Sequence, residues 1–224
     1  MAKVSLAEHM KERRTPQEEF AKCGPFITIS RQFGCYGFSL GLLLLDILSE
    51  QTDAAWKIYH KEILTELATQ TNLATEILEE QRRTKPSLIV DFFRSLSRER
   101  IPSGYEIRNR ITTIIRGLAV EGHAIFIGQG SAGATQDLPN GLSVRLEAPE
   151  DWRVKQVAFR ESLSETEARL RVRAKEEERE YLRKIYETRF PRKPAFHLVY
   201  DCAAFSLAQI AQHVAYMMRI RQML

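Results

Sequence analysis

The chain has 224 residues, 44% of them apolar and 28% charged, with a formal net charge of +4. That length suits one domain or one plus a small insert, and the balance supplies a core and argues against a disordered chain. No apolar stretch approaches the roughly 18 residues of a membrane span; the longest candidate, Leu40 to Leu48, is short and interrupted by Asp46.

In chain order, Val4 to Arg14 reads as a short amphipathic helix that Thr15-Pro16 ends or restarts. Phe26 to Ser30 is a β-branched run after Gly24-Pro25 and predicts a buried strand. A glycine-bearing turn, Arg31 to Gly37, leads into Ser39 to Leu48, a helix apolar nearly all round and therefore expected to be buried. Trp56 to Tyr59 predicts a second short strand. Helical spacing then recurs in Ile63 to Thr69, Leu73 to Gln81, Leu88 to Leu96 and Ile107 to Val120, punctuated by Pro86, Pro102 and Gly104. His123 to Gly128 and Leu142 to Leu146 predict further strands, and Glu150 to Arg160 the following helix. Ser164 and Glu167 have capping-box spacing and open a long charged helix toward Tyr186. Phe196 to Tyr200 predicts the last strand, and Ser206 to Leu224 a closing amphipathic helix.

Apolar strands separated by helices imply a three-layer α/β/α domain, with a parallel sheet of about five strands covered on both faces. Ligands on such sheets bind at the carboxyl ends of strands, which directs attention to the segments after Ser30, Gly128 and Leu146. The three cysteines, Cys23, Cys35 and Cys202, are widely spaced and form no CxxC pair. They suggest neither a disulfide framework nor a zinc site and fit a reducing compartment. The opening MAKVSLAEHMKERR lacks the apolar region of a secretion signal, so a cytoplasmic location is expected. The mild positive charge is compatible with an anionic partner, but an ordinary solvated surface is the default reading. Nothing points to sequence-specific nucleic-acid binding or to a membrane, and the oligomeric state is not legible.

Strand, glycine turn and helix form the context of a phosphate-binding loop, where backbone N–H groups and a helix N-terminus face an anion. Against the pattern GxxxxGK[ST], Gln32 to Ser39 reads Q-F-G-C-Y-G-F-S. Gly37 and Ser39 fit the last glycine and the hydroxyl that would hold Mg²⁺, whereas Phe38 takes the place of the lysine and Gln32 that of the first glycine. From the pattern alone, a degenerate phosphate loop and an ordinary βα turn are equally supported.

The wider segment FITISRQFGCYGFSLG resembles the opening of the cytidylate kinase-like family, I-T-I-S-R-Q-[YF]-G-S-G-G-R-x-I-G. WKIYHKEIL resembles that family's P-F-Y-D-K-E-[IL]-[IL] segment, and Arg116 to Ala132 its R-x-L-A-x-x-G-x-x-[IV]-[IV]-V-G-R-G-A. Leu142 to Arg153 resembles its strand ending in A-P before an arginine, and HLVYD its D-L-V-L-N strand. The resemblance implies a P-loop kinase of the nucleoside monophosphate type, with ATP as donor, Mg²⁺ as its partner and a CMP-like monophosphate as acceptor. It divides the chain into an N-terminal helical extension, 1–25, and a kinase-like domain, 26–224. Within that domain a helical monophosphate-binding insert spans about 60–121 and a lid about 164–190.

The same resemblance implies donor-phosphate contacts from Arg31, Gly34, Cys35, Tyr36, Gly37, Phe38 and Ser39, with Ser39 toward the metal. It implies acceptor contacts from His60, Arg116 and Gln129. Of the arginines on the charged helix, most read as a solvated face laced with i,i+4 pairs; Arg173 and Arg179 are the candidates for lid arginines that act in catalysis. Four positions depart from the family: Phe38 replaces its loop cation, His60 its aspartate after the second strand, Gln129 its arginine, and His197 its last aspartate. These departures raise a second reading, a catalytically impaired module that binds a nucleotide or another phosphorylated ligand and acts in regulation or interaction. Cys35 reads as a redox-sensitive thiol or a small filler, and Trp152 as a neighbour of a bound nucleotide or a packing residue.

Overall fold

The computed structural model describes residues 23–69, 104–189 and 195–224. The helices read at Val4 to Arg14, Leu73 to Gln81 and Leu88 to Leu96 lie outside them, as does most of the N-terminal extension.

Five strands form one sheet: β1 (Phe26–Arg31), β2 (Lys57–Tyr59), β3 (Ala124–Ile127), β4 (Gly141–Glu147) and β5 (Leu198–Asp201). Their order is β2-β3-β1-β4-β5, and every pairing is parallel. The described helices are α1 (Gly37–Gln51), α2 (Lys61–Thr69), α3 (Gly104–Glu121), α4 (Ser131–Ala134), α5 (Glu150–Glu161), α6 (Glu165–Arg189) and α7 (Leu207–Ile220). The fold is the three-layer α/β/α arrangement that the alternation of strands and helices implied.

Strand alternation separates the two faces. Ile27, Ile29, Ile125, Ile127, Leu142 and Val144 bury themselves against Leu40, Leu44 and Leu48 of α1 and Ile210, Val214 and Met218 of α7. Phe26, Ala124 and Phe126 point the other way, toward Leu64 of α2 and Ile111, Ile115 and Ala119 of α3. Burial of each large aliphatic side chain contributes roughly 1.5–3 kcal/mol. A third cluster joins Val154 and Val157 of α5 to Ala168 and Val172 of α6, with Phe33 packed against it.

Helix α1 corrects one expectation. It is buried along a stripe, Gly37, Leu40, Gly41, Leu44 and Leu48, whereas Leu42 is 44% exposed. The sheet and α7 cover only one side, so its all-round apolar character exceeds its burial. Helix α4 escapes sequence reading because four residues are too short for a periodic pattern. The capping box of α6 is present: Ser164 N–H donates to Glu167 Oε2 at 2.9 Å, and Glu167 N–H to Ser164 Oγ at 3.3 Å. A second one, Ser206 with Gln209, opens α7. Among the described residues no helix is long and apolar enough to cross a membrane.

Candidate functional site

The carboxyl ends of β1, β2, β3 and β4 open into a cavity of about 610 Å³, roofed by α6. Glycines make its floor. Gly128, Gln129 and Gly130, which follow β3, have φ of 73°, 56° and 70°. A non-glycine residue in the left-handed region stores strain, on the order of 1 kcal/mol or more, and such strain concentrates at functional turns. Gly128 also has no room for a side chain, because a Cβ there would overlap the Arg31 guanidinium. Gly34, at φ 93°, lies against Arg153, with its Cβ position 2.9 Å from Arg153 Cβ.

Arg31, Arg145 and Arg179 converge on this cavity from β1, β4 and α6. Arg145 Nη1 donates to Ser30 Oγ at 2.9 Å and Nε to Glu147 Oε1 at 3.1 Å, and its guanidinium lies 5.7 Å from the Phe196 ring centre. Arg179 lies 5.0 Å over the Phe33 ring and reaches the Arg31 carbonyl at 3.5 Å. Burial, with Arg179 and Arg145 as like-charged neighbours, brings the Arg31 pKa down to about 10. Burial lowers that of Arg179 too. Three crowded, partly desolvated cations are costly alone and are relieved by an anion. Lys61, Lys175 and Arg183 add positive charge at the rim. The two carboxylates of the wall are engaged: Glu62 with His60 Nδ1 at 2.6 Å, and Glu178 with Lys175 Nζ at 2.9 Å.

The residues inferred from sequence divide between this cavity and other places. Arg31, Phe38, His60, Gln129 and Arg179 line it. Phe38, 46% exposed, meets His60 edge to face with ring centres 5.4 Å apart. Aromatic surface therefore occupies the place of a loop cation and a carboxylate. Cys35 and Tyr36 point away. The Cys35 thiol hydrogen-bonds with that of Cys202 in the core, which with burial pushes its pKa up. Tyr36 Oη donates to the Gln156 carbonyl at 2.8 Å beneath Arg160, clamping the loop to α5. Gly34 and Gly37 shape the loop, while half-buried Ser39 is not part of the cavity wall.

Arg116 braces the fold instead of facing the cavity. It grips Asp137 in two-pronged fashion at 2.6 and 2.8 Å and caps Ala134 O at 2.6 Å. Arg173 binds Glu150 Oε1 at 3.1 Å on α5, outside the cavity. His197 pairs with Ser143 between strands, accepting from its N–H at 3.0 Å. Trp152 packs at the edge of the main core.

Sequence reading missed Arg145, Phe33, Phe196 and Glu176. Arg145 carried a signal, as a lone arginine inside a largely apolar strand two residues from its carboxyl end. Glu176 carried none, being one of three consecutive glutamates.

The donor set does not suit a protein-held Mg²⁺. Ser39 stands apart from the cavity, the wall carboxylates are paired, and among the described residues no group of three or more His, Cys, Asp or Glu is placed to hold a metal ion.

A parallel sheet with glycine turns and arginines at its carboxyl ends is an α/β domain arranged to face an anionic ligand. The model of the cytidylate kinase-like family matches residues 26–203, and the chain belongs to that family. A comparison with curated proteins returns no match. Among solved structures, an uncharacterized protein from Eubacterium ventriosum has a TM-score of 0.60 at 18% identity, covering 87% of this chain and 98% of its own. That likeness bears on the fold. Two shikimate kinases match less well. The one from Acinetobacter baumannii has a TM-score of 0.45 at 15% identity, covering 92% of this chain and 98% of its own. The one from Bacteroides thetaiotaomicron has a TM-score of 0.45 at 11% identity, covering 87% and 98%.

Proposed function

We propose that this chain is an ATP-dependent phosphotransferase acting on a nucleoside monophosphate of the CMP type, with both sets of phosphates in the arginine-lined cavity. The carrying observation is the convergence of Arg31, Arg145 and Arg179 on one space beside two glycine turns. In the reaction an acceptor phosphate oxygen attacks the γ-phosphorus of ATP. The bond from that phosphorus to the bridging oxygen breaks, and ADP leaves. Such a transfer asks for position and positive charge more than for covalent chemistry. Arg31 and Arg145 are fixed by the sheet and would hold the transferring group, while Arg179 would follow the lid. Magnesium would enter as the nucleotide's counter-ion rather than on a protein-built site. The thiols of Cys23, Cys35 and Cys202, none of them in a disulfide, agree with a cytoplasmic setting.

A second reading, a nucleotide-binding regulatory module with little turnover, is favoured by Phe38. Losing one hydrogen-bond donor to transition-state charge costs roughly 2.7–4 kcal/mol, a hundredfold or more in rate. Coupled assays with ATP and CMP, dCMP or UMP decide between them. Turnover above background supports the enzyme. No turnover, together with calorimetric binding of ATP, supports the module, and no binding of ATP or CMP up to millimolar concentration overturns both.

A further inference from the structure

Helix α6 carries an acidic side chain into the loop. Glu176 Oε2 accepts the Phe33 N–H at 2.8 Å, lies 3.6 Å from Arg153 Nη1, and its Oε1 lies 3.9 Å from Arg145 Nη2. Both arginines are only 6% exposed. A carboxylate thus sits where a backbone donor of the loop and two buried guanidiniums meet. The fit is loose, because charge-assisted N–H···O bonds close to about 2.7–2.9 Å when geometry allows. Arg153 spends its Nε on the Ala148 carbonyl and shares Nη1 with the Phe33 carbonyl at 3.3 Å; Arg145 is held by Ser30 and Glu147. Neither can move far to close on Glu176. A phosphoryl group, with three terminal oxygens against two, would close those gaps better than the carboxylate does.

We propose that Glu176 is an internal competitor for a ligand phosphoryl group: it holds the loop's anion position, latches α6 onto the loop, and so weakens phosphate binding until displaced. The inference rests on the reading of the cavity as a phosphate site. It assigns Glu176 the role of setting the threshold, so that a ligand rich in negative charge displaces it and a weakly charged one does not. Arg179, three residues on, shares its face of the helix, about 60° away around the axis. The element that supplies a lid cation therefore also supplies the competitor.

The test uses Glu176→Gln, which keeps an oxygen acceptor for the Phe33 N–H and removes the charge. Inorganic tripolyphosphate is titrated calorimetrically into the wild-type protein and the variant. The expected result is binding by both, with the variant tighter by about tenfold, the equivalent of 1.4 kcal/mol. In parallel, trypsin should cut α6 faster in the variant without ligand. Glu176→Asp, whose carboxylate is drawn back by one methylene, should shift both readouts the same way and serves if the glutamine variant does not fold. Equal or weaker binding by the variants, with wild-type binding intact, overturns the inference alone and makes Glu176 an organiser of the arginines. Absence of binding in all three proteins overturns the phosphate reading of the cavity, and the inference with it.

Discussion

Replacing Phe38 by arginine restores a cation at the start of α1, and the structure sets what this costs and returns. The ring is 46% exposed, so little apolar burial is lost. What is lost is its edge-to-face contact with His60, about 0.5–1.5 kcal/mol for such a pair. A fourth cation also joins Arg31, Arg145 and Arg179, whose burial and mutual repulsion already hold the Arg31 pKa at about 10. Without ligand, Phe38→Arg should therefore melt lower, by about 2–4 °C for each kcal/mol in a domain of this size. With a polyphosphate present the balance reverses. A charge-assisted hydrogen bond is worth about 1.5–3 kcal/mol, which is roughly a tenfold to hundredfold gain in affinity. Calorimetry with ATP and Mg²⁺, paired with melting curves with and without nucleotide, reads both effects. A lower melting point with unchanged ATP affinity would refute the reasoning, since a cation at position 38 would then face no phosphate.

Three further expectations follow from the same geometry. Gly34→Ala places a side chain at φ 93° and against Arg153, so stability should fall by about 1–3 kcal/mol in denaturant unfolding; a change near zero would mean the turn adapts freely. Cys35 donates to Cys202, which raises the Cys35 pKa and lowers that of Cys202, so iodoacetamide on the folded protein should label Cys202 before Cys35; mass spectrometry showing the reverse order would contradict this pairing. Glu150 has its pKa lowered from the ordinary 4.5 by hydrogen bonding to Arg173 and then by Arg169. A depressed carboxylate stabilises the fold above the unfolded pKa and loses that effect as pH falls through the folded value. Hydrogen exchange in α5 and α6 should accelerate as pH drops below 4.5, after correction for intrinsic rates, and a Glu150→Gln variant should lack that step.

The strands were legible because each is a compact apolar run, and their parallel order follows from the helices between them. The loop was legible as a strand–turn–helix with glycines, but the direction of its side chains was not. That direction depends on the left-handed turn at Gly34, which sends Cys35 into the core and Tyr36 onto α5. The pairing of Arg173 with Arg179 conflicts with helix geometry, since positions six apart lie about 240° around an α-helix. Arg173 accordingly faces Glu150, while Arg179 faces the loop. Arg116 stands at a family position yet grips Asp137, because its guanidinium reaches the turn after α4. Arg145 was hidden by its apolar neighbours, although strand alternation places it with Ser143 and Glu147, opposite the aliphatic face.

On the proposed phosphate reading, these positions alter where the affinity would reside. In a loop with its own cation, charge and amide donors belong to one short segment and hold an anion whatever the lid does. In this chain Phe38 brings no charge, and the guanidiniums come from β1, β4 and α6. Two of those elements are rigid sheet, so the variable part of the field is Arg179. Its position is fixed by the contacts that dock α6, and one of these is the Glu176 carboxylate on the Phe33 N–H. Undocking α6 to expel Glu176 would also withdraw Arg179. The exchange that retains the cation is a rearrangement of the Glu176 side chain with the helix still in place. Its 24% exposure leaves a path to solvent for that movement. Ligand binding by such a route would free the Phe33 N–H while the Arg179–Phe33 contact persists, so Arg179 and the loop amide would act on the same phosphate.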